Sequence, residues 1–305
     1  MKINIALATD DNYAKYCSTV MISVIENKRL EDEISFHIMH SDDLNNDNIE
    51  KMKKIGDVNF YYVDKNIFTP YFKNMNNLWS VATLYRLKIA TILNHIDKVI
   101  YLDCDTLVLN SLHELYEEDM QDNILYGIRD YCCEASMKRN NIPDKYFYFN
   151  AGVLMINLQK MREENIEDKL FDFLVKNWEH LDFGDQDVLN SVLYARTKEV
   201  ERKYNYIVPA IILKEKEKDL NPTIAHYAGV KPWEKCYNNK FRDMFWTYFE
   251  KSPVITKEYY NEKFKEYKNR QTRFNQVLML LKMYPLAFLK NDKHHQLLKT
   301  IIKNS

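Results

Sequence analysis

The sequence predicts an α/β fold organised around a nucleotide-binding unit, and three stretches carry that prediction. Lys98-Val99-Ile100-Tyr101-Leu102-Asp103-Cys104-Asp105-Thr106-Leu107-Val108-Leu109 reads as one buried apolar strand with two carboxylates, separated by one residue, set into it. Lys2 to Thr9 reads as a first strand that runs through the polar turn Asp10-Asp11-Asn12 into a helix striped by Tyr13, Tyr16, Cys17, Val20, Met21 and Val24. Phe147 to Asn157 is a second dense apolar run, interrupted by Asn150-Ala151-Gly152. Apolar runs between turn signals mark strands covered on both faces. Strand, short polar turn, then helix is the entry to an α/β nucleotide-binding unit.

Bulk properties set the outer limits. At 305 residues the chain has room for one large domain or two small ones. A net charge of −1 gives no global bias toward nucleic acid. The five cysteines, at 17, 104, 132, 133 and 236, form no C-x-x-C ligand pattern, and an odd unframed set points to a reducing compartment. Met1 to Ile5 runs straight into a strand pattern without a signal-peptide core, and no stretch has the apolar length of a membrane span. The expected location is cytoplasmic.

After the first helix, Ile34 to His40 alternates as a second strand, with His37 and His40 on opposite faces and so a poor ligand pair. Leu44 to Ile55 reads as helix, Asn59 to Val63 as a third strand, and Leu78 to Ala90 as a helix leading to the Asp-Cys-Asp strand. Arg86 and Lys88 cannot share the buried face of that helix; one is a surface charge and the other a candidate partner for a phosphate or an acid. Leu112 to Tyr116 is a short helix and Asn123 to Ile128 a strand, whereas Tyr131 to Tyr146 has no clean period and reads as a loop over the site. Helices follow at 166–178 and 186–194, with Phe183-Gly184-Asp185-Gln186-Asp187 between them. Thr223 to Trp233 reads as a strand ending in a glycine-containing turn.

The chemistry begins with charge in an apolar run. An unpaired buried carboxylate is costly, and residues two apart on a strand share a face, so Asp103 and Asp105 can converge on one ion. Oxygen ligands suit a hard cation such as Mn²⁺ or Mg²⁺ that bridges to phosphates. A second D-x-D, Asp185-Gln186-Asp187, has a plain reading as a helix cap at Asp185. Asp10 and Asn12 read either as helix N-caps or as partners of a base or ribose. Ala151 and Gly152 either admit a ligand close to the backbone or mark a bulged core strand. His226 precedes Gly229 and Lys231 within five residues, and imidazole, free amides and an ammonium together suit a pyrophosphate with a bound cation. From Lys265 onward nine Lys and Arg face only Glu266 and Asp292, a net of +7 on an apolar repeat. That segment reads as a peripheral attachment to an anionic membrane or as helices packed on the catalytic domain.

Six motifs in order resemble the bacterial members of glycosyltransferase family 8, the retaining galactosyl- and glucosyltransferases of lipopolysaccharide and related glycan assembly. They are A-T-D-D-N after the first strand, Y-R-L at 85–87, V-I-Y-L-D-C-D-T-L-V, F-N-A-G-V-L at 149–154, D-Q-D at 185–187 and H-Y-A-G-V-K-P-W at 226–233. The resemblance, which runs from the first strand to about Trp233, implies a GT-A fold, a Rossmann-like nucleotide-binding domain with a mixed central sheet, placed at residues 1–250; composition sets a basic amphipathic helical region after it, over 251–305. The resemblance also implies UDP-galactose or UDP-glucose as donor and Mn²⁺ or Mg²⁺ held by Asp103, Asp105 and His226. Ala8, Asp10 and Asn12 would then hold the uridine, and Arg86 would orient the donor. Asn150, Ala151, Gly152, Asp185 and Gln186 would line the sugar pocket, with Asp130 as a further sugar-site acid, and Gly229 and Lys231 would grip the diphosphate. The chain departs from the family's usual H-x-x-G-x-x-K-P-W turn, which is one residue shorter here between Gly229 and Lys231. The expected acceptor is a glycan or glycolipid at the inner membrane face, and nucleic acid is not an expected partner. A self-glucosylating, glycogenin-like protein shares the motifs, but a soluble primer has no use for a basic tail. An inactive nucleotide-sugar scaffold is disfavoured by the intact Asp103, Asp105 and His226 set.

Overall fold

A computed structural model of the protein describes residues 1–72, 80–130, 133–208, 220–229, 231–234 and 240–269. Its order is β1 (Lys2–Ala8), α1 (Ala14–Asn27), β2 (Glu33–His40), α2 (Asn46–Met52), β3 (Asp57–Tyr62), α3 (Ile89–Ile92), β4 (Lys98–Leu102) and β5 (Thr106–Val108). There follow α4 (His113–Glu117), β6 (Leu125–Arg129), α5 (Cys133–Arg139), β7 (Phe149–Asn157), α6 (Leu158–Glu163), α7 (Ile166–Asn177) and α8 (Asp185–Leu193). The described chain ends with β8 (Thr197–Glu199), β9 (Tyr206–Ile207), β10 (Ile224–His226), α9 (Lys240–Phe249) and α10 (Lys257–Asn269).

The main sheet runs β3-β2-β1-β4-β7-β6-β8 and is mixed, as expected: β3, β2, β1 and β4 are mutually parallel, while β7 is antiparallel to both β4 and β6. The chain moves outward from β1 to β3, then crosses back to lay β4 on the other side of β1. That reversal is the topological switch point at which open α/β sheets bind ligands beyond the carboxyl ends of their strands. A smaller sheet, β5-β10-β9, stands beside it. One apolar cluster joins β1, α1 and the small sheet to α9, through residues such as Ile5, Val20, Leu107 and Phe245; another lies between the sheet and α6, α7 and α8.

Three local expectations change. The Lys98–Leu109 run is not one strand: it leaves the main sheet after Leu102, turns through Asp103-Cys104-Asp105, and enters the small sheet at Thr106. Apolar content alone cannot distinguish a single strand from two that pass from one sheet to another. The segment before it is mainly 3-10 helix, Val81–Lys88, before the short α3. Within 131–146, where no period was visible, α5 forms. Its anchor is polar: Arg139 and Asn140 both bond to Asp187.

At the far end α10 docks on α9 through aromatic rings, Trp246 lying 5.1 Å from Tyr267 and 5.7 Å from Phe264. Residues 270–305, which hold most of the basic tail, lie outside the described residues. No described helix is long and apolar enough to cross a membrane.

His37 settles one histidine question. It is buried in β2, with Nε2 3.1 Å from Asn4 Oδ1 and Nδ1 3.1 Å from the Tyr61 hydroxyl. Burial, helped by neighbouring His95, pushes its pKa down from 6.5 to about 4. The folded ring stays neutral where the unfolded ring takes up a proton, so the unfolded state gains protons between those values. The His37 contribution is therefore complete above about pH 6.5 and is lost as pH falls toward 4. The melting midpoint of the wild type should fall between about pH 7 and pH 4.5 by more than that of His37→Gln; parallel pH profiles would refute this.

Candidate active site

Asp103 and Asp105 converge because the chain turns between two sheets, not because a strand alternates. Leu102 closes β4 opposite Val153 of β7, and Asp103 N–H donates to Gly152 O at 2.8 Å. Thr106 opens β5 opposite His226 of β10, and Tyr227 N–H donates to Asp105 O at 2.9 Å. The main sheet thus fixes Asp103 and the small sheet fixes Asp105 and His226. Cys104, between them, turns inward and its thiol donates to Ala8 O at 3.2 Å. Ligand atoms of Asp103, Asp105 and His226 all lie within 4.8 Å of one another.

Each member of this cluster is oriented by a partner. Asp103 Oδ1 accepts from Arg86 Nη2 at 2.6 Å and from the Tyr101 hydroxyl at 3.2 Å. Its other oxygen, Oδ2, faces His226 across Gly152. A Cβ on Gly152 would stand 2.2 Å from His226 Cε1 and 2.8 Å from Asp103 Oδ2. The space that glycine leaves is therefore filled by the ligand pair itself. Asp105 Oδ1 lies 3.2 Å from His226 Nε2, and its Oδ2 is paired with the Lys231 ammonium. Burial would raise the Asp105 carboxyl; Lys231 and His226 outweigh it and hold the group well below the usual carboxylate range. Trp233, two residues after that lysine, stacks on Tyr16 of α1 at 3.6 Å between ring centroids. The shortened Gly229–Lys231 turn still delivers Nζ to Asp105.

Beside this cluster lies a second group of polar residues. Arg86 is the buried member of the Arg86/Lys88 pair, while Lys88 lies over the Phe171 ring. Its Nη1 donates to Ala151 O at 2.6 Å and its Nε to Thr83 O at 3.0 Å. Asp185 Oδ2 lies 3.1 Å from the same Nε, an ion pair without a hydrogen bond of its own. Burial pushes the Asp185 carboxyl up to about 6 although Arg86 pulls it down. Gly184, at φ 52° and ψ −121°, takes a backbone conformation open to glycine alone and turns the start of α8 toward the cavity. Gln186 Oε1 accepts from Ala151 N–H at 2.9 Å, and Asp130 accepts from Asn150 Nδ2 at 2.9 Å and from Gln186 Nε2 at 3.4 Å. A cavity of about 350 Å³ opens over both groups. Its wall includes Ala8, Asp10, Arg86, Asp130, Asn150, Ala151, Gly152, Asp185, Gln186, Gly229 and Lys231 with the three clustered ligands.

A match to the glycosyl transferase family 8 model over residues 4–237 decides the family. The chain belongs to glycosyltransferase family 8. Its fold is that of GT-A enzymes. Over 86% of its length it superposes on the whole of the galactosyltransferase LgtC, solved in complex with donor and acceptor sugar analogues, with a TM-score of 0.75 and 26% identity. General stress protein A of Bacillus subtilis is 28% identical over 267 residues, 81% of this chain and 92% of that protein. Lipopolysaccharide 1,2-glucosyltransferase of Escherichia coli is 26% identical over 290 residues, 86% of this chain and 84% of that one.

Not every residue implied by the family resemblance takes the expected place. Asn12 is exposed and outside the cavity wall, which Ala8 and Asp10 help to form. Asp10 lines the cavity, and its Oδ1 accepts from Tyr13 N–H at 2.9 Å at the start of α1. Gly152 lines the cavity and also leaves the room that His226 and Asp103 occupy. Asp187 turns away entirely. It takes the Tyr148 hydroxyl at 2.7 Å, Asn140 Nδ2 at 2.8 Å, Arg139 Nη2 at 3.1 Å and the backbone amides of Asp182 and Phe183 at 2.9 and 2.8 Å. Sequence reading missed Thr9, Tyr13, Phe183 and Ile207 in the wall, and Asn205 behind His226. Tyr13 was legible only as part of a helix stripe, and Asn205 sits in no motif. Gly152→Ala should weaken Mn²⁺ binding by at least about tenfold, measured by electron paramagnetic resonance of the free ion, because His226 must move; unchanged affinity would sink that account of the glycine.

Proposed function

We propose that this chain is a retaining hexosyltransferase that moves galactose or glucose from a UDP-sugar to a glycan or glycolipid acceptor, with Mn²⁺ or Mg²⁺ at Asp103, Asp105 and His226. The observation that carries the reading is the convergence of these three side chains beside the buried Arg86. The donor set fits a divalent ion: two carboxylates and one imidazole, with a lysine ammonium already drawn onto Asp105. A nitrogen ligand among them favours Mn²⁺ over Mg²⁺. When bound, the ion supplies Lewis-acid neutralisation of the departing diphosphate.

The chain's own groups supply the rest. Breaking the sugar–phosphate bond builds negative charge on UDP and oxocarbenium character at the anomeric carbon. Lys231 lies at the cluster and brings a point charge to the diphosphate side, next to Gly229, where open backbone admits a phosphate. Ala8 and Asp10 take the nucleoside, and Asn150, Ala151, Gly152, Asp185, Gln186 and Asp130 take the sugar. Retention needs either a covalent sugar–enzyme intermediate or attack on the face that the phosphate leaves. Asp103 is bonded to Arg86, Asp185 is ion-paired to it, Asp187 is saturated by donors, and Asp130 accepts from two amides. These engagements support same-face attack, in which a donor phosphate oxygen takes the acceptor's proton. The +7 charge of residues 265–305 supports contact with an anionic membrane at the cytoplasmic face.

UDP release from UDP-galactose or UDP-glucose with Mn²⁺ should fall at least about 100-fold in Asp103→Asn. Equal, negligible release by both proteins with every donor offered would end the enzyme reading. Deleting residues 270–305 should spare donor hydrolysis and abolish sedimentation with phosphatidylserine vesicles; unchanged sedimentation would rule out the membrane role.

A further inference from the structure

Behind His226 runs a chain of hydrogen bonds with a single direction. Gly152 N–H, which can only donate, gives its proton to Asn150 Oδ1 at 3.0 Å. Asn205 Nδ2 donates to the same oxygen at 3.0 Å. Asn150 Nδ2 in turn donates to Asp130 Oδ2 at 2.9 Å, and a carboxylate only accepts. These two ends leave one orientation for each amide. Asn150 must point its oxygen at Gly152 and Asn205, so Asn205 must point its nitrogen at Asn150 and its oxygen at His226. Asn205 Oδ1 lies 2.9 Å from His226 Nδ1. Both asparagines are buried, Asn205 being 1% exposed and Asn150 6%, so water does not offer a ready replacement.

From this polarity we propose that Asn205 is a positioning residue: through Asn150 and Asp130 it keeps a proton on His226 Nδ1 and so presents Nε2 to the cation site. The inference rests on the reading of Asp103, Asp105 and His226 as a divalent-metal site. An imidazole ligates through the nitrogen that carries no proton, and the partner of its other nitrogen decides which one that is. A flipped Asn205 would offer N–H to Nδ1 and push the proton to Nε2, where it would block the site. The flip is prevented at a distance. It would set the Asn205 oxygen against the Asn150 oxygen, and turning Asn150 as well would set oxygen against the Asp130 carboxylate. Asp130 therefore acts on the cation site without touching it, in addition to its place in the sugar pocket.

The test combines spectroscopy with binding. In the full chain labelled with ¹⁵N-histidine, without metal, the His226 signal, identified by its loss in His226→Gln, should show Nδ1 as the protonated nitrogen of the neutral ring. A bare Nδ1 with Nε2 protonated overturns the proposal. Mn²⁺ affinity without nucleotide should fall at least about tenfold in Asn205→Leu. It should stay within about threefold of wild type in Asn205→Asp, which keeps the acceptor. It should fall several-fold in Asp130→Asn, whose amide no longer enforces the direction. Wild-type affinity in a folded Asn205→Leu, or equal loss in Asn205→Asp and Asn205→Leu, overturns it. If Asn205→Leu does not fold, the histidine spectrum and the Asp130→Asn affinity decide, and unchanged affinity in Asp130→Asn refutes the relay. Failure of the metal reading looks different: wild-type protein would bind no Mn²⁺ while Nδ1 remained protonated.

Discussion

A guanidinium buried as deeply as Arg86 is tolerated only where carboxylates and carbonyls meet it. Here they come from four parts of the chain: Asp103 after β4, Asp185 at the head of α8, Ala151 on β7, and Thr83 in the segment that carries the arginine. One side chain therefore fixes the relative positions of the strand end, the helix and the strand edge that frame the cavity. Removing one member of such a buried group typically costs about 3–5 kcal/mol, because its partner charge is left stranded. The Tyr101 ring beneath the guanidinium, 4.2 Å from it, adds a face that water cannot reach.

This pairing also divides the work of Asp103. Oδ1 is committed to Arg86 and Tyr101, which leaves Oδ2 directed at His226. Asp105 divides in the same way between His226 and Lys231. Lys231 is thus the less deeply buried cation of the cluster, and Arg86 the more deeply buried one. In a low-dielectric cavity an ammonium on Asp105 and a divalent ion at the same carboxylates compete for the same negative charge. A lysine held in this way can pass to a phosphate as soon as its carboxylate is satisfied from elsewhere. Trp233, two residues on, is held by its stacking on Tyr16.

Most of the architecture was legible because its signals are local and apolar. Strands β1, β2, β3, β6 and β7, helices α1, α7 and α8, and the metal-ligand candidates all follow from periodicity or from motifs in order. What escaped depends on contacts between distant residues. The passage of the Lys98–Leu109 run from one sheet to another is decided by its pairing with β7 and β10, which no window of sequence contains. Helix α5 lacks an apolar period, and is tied instead to a carboxylate almost fifty residues on, Arg139 to Asp187. Asn205 had no motif around it, and its role exists only because β9 and β10 lie side by side. Arg86 was separable from Lys88 only as a choice of one from two, and packing made the choice.

The two D-x-D triplets show how far backbone geometry governs what the same residues do. An α-helix turns about 100° per residue, so side chains two apart diverge by about 200°. In Asp185-Gln186-Asp187 the first acid accordingly meets Arg86 at the cavity while the second faces α5 and the loop before α8. The same spacing on an irregular turn carries no such constraint. Asp103 and Asp105 face each other because β4 and β5 belong to different sheets and the chain must bend between them. One triplet thus gathers two carboxylates at a single point, and the other uses one for the site and one to hold the site's wall. Because its second carboxylate is already satisfied by five donors, the helical triplet brings only one acid, Asp185, to the cavity wall.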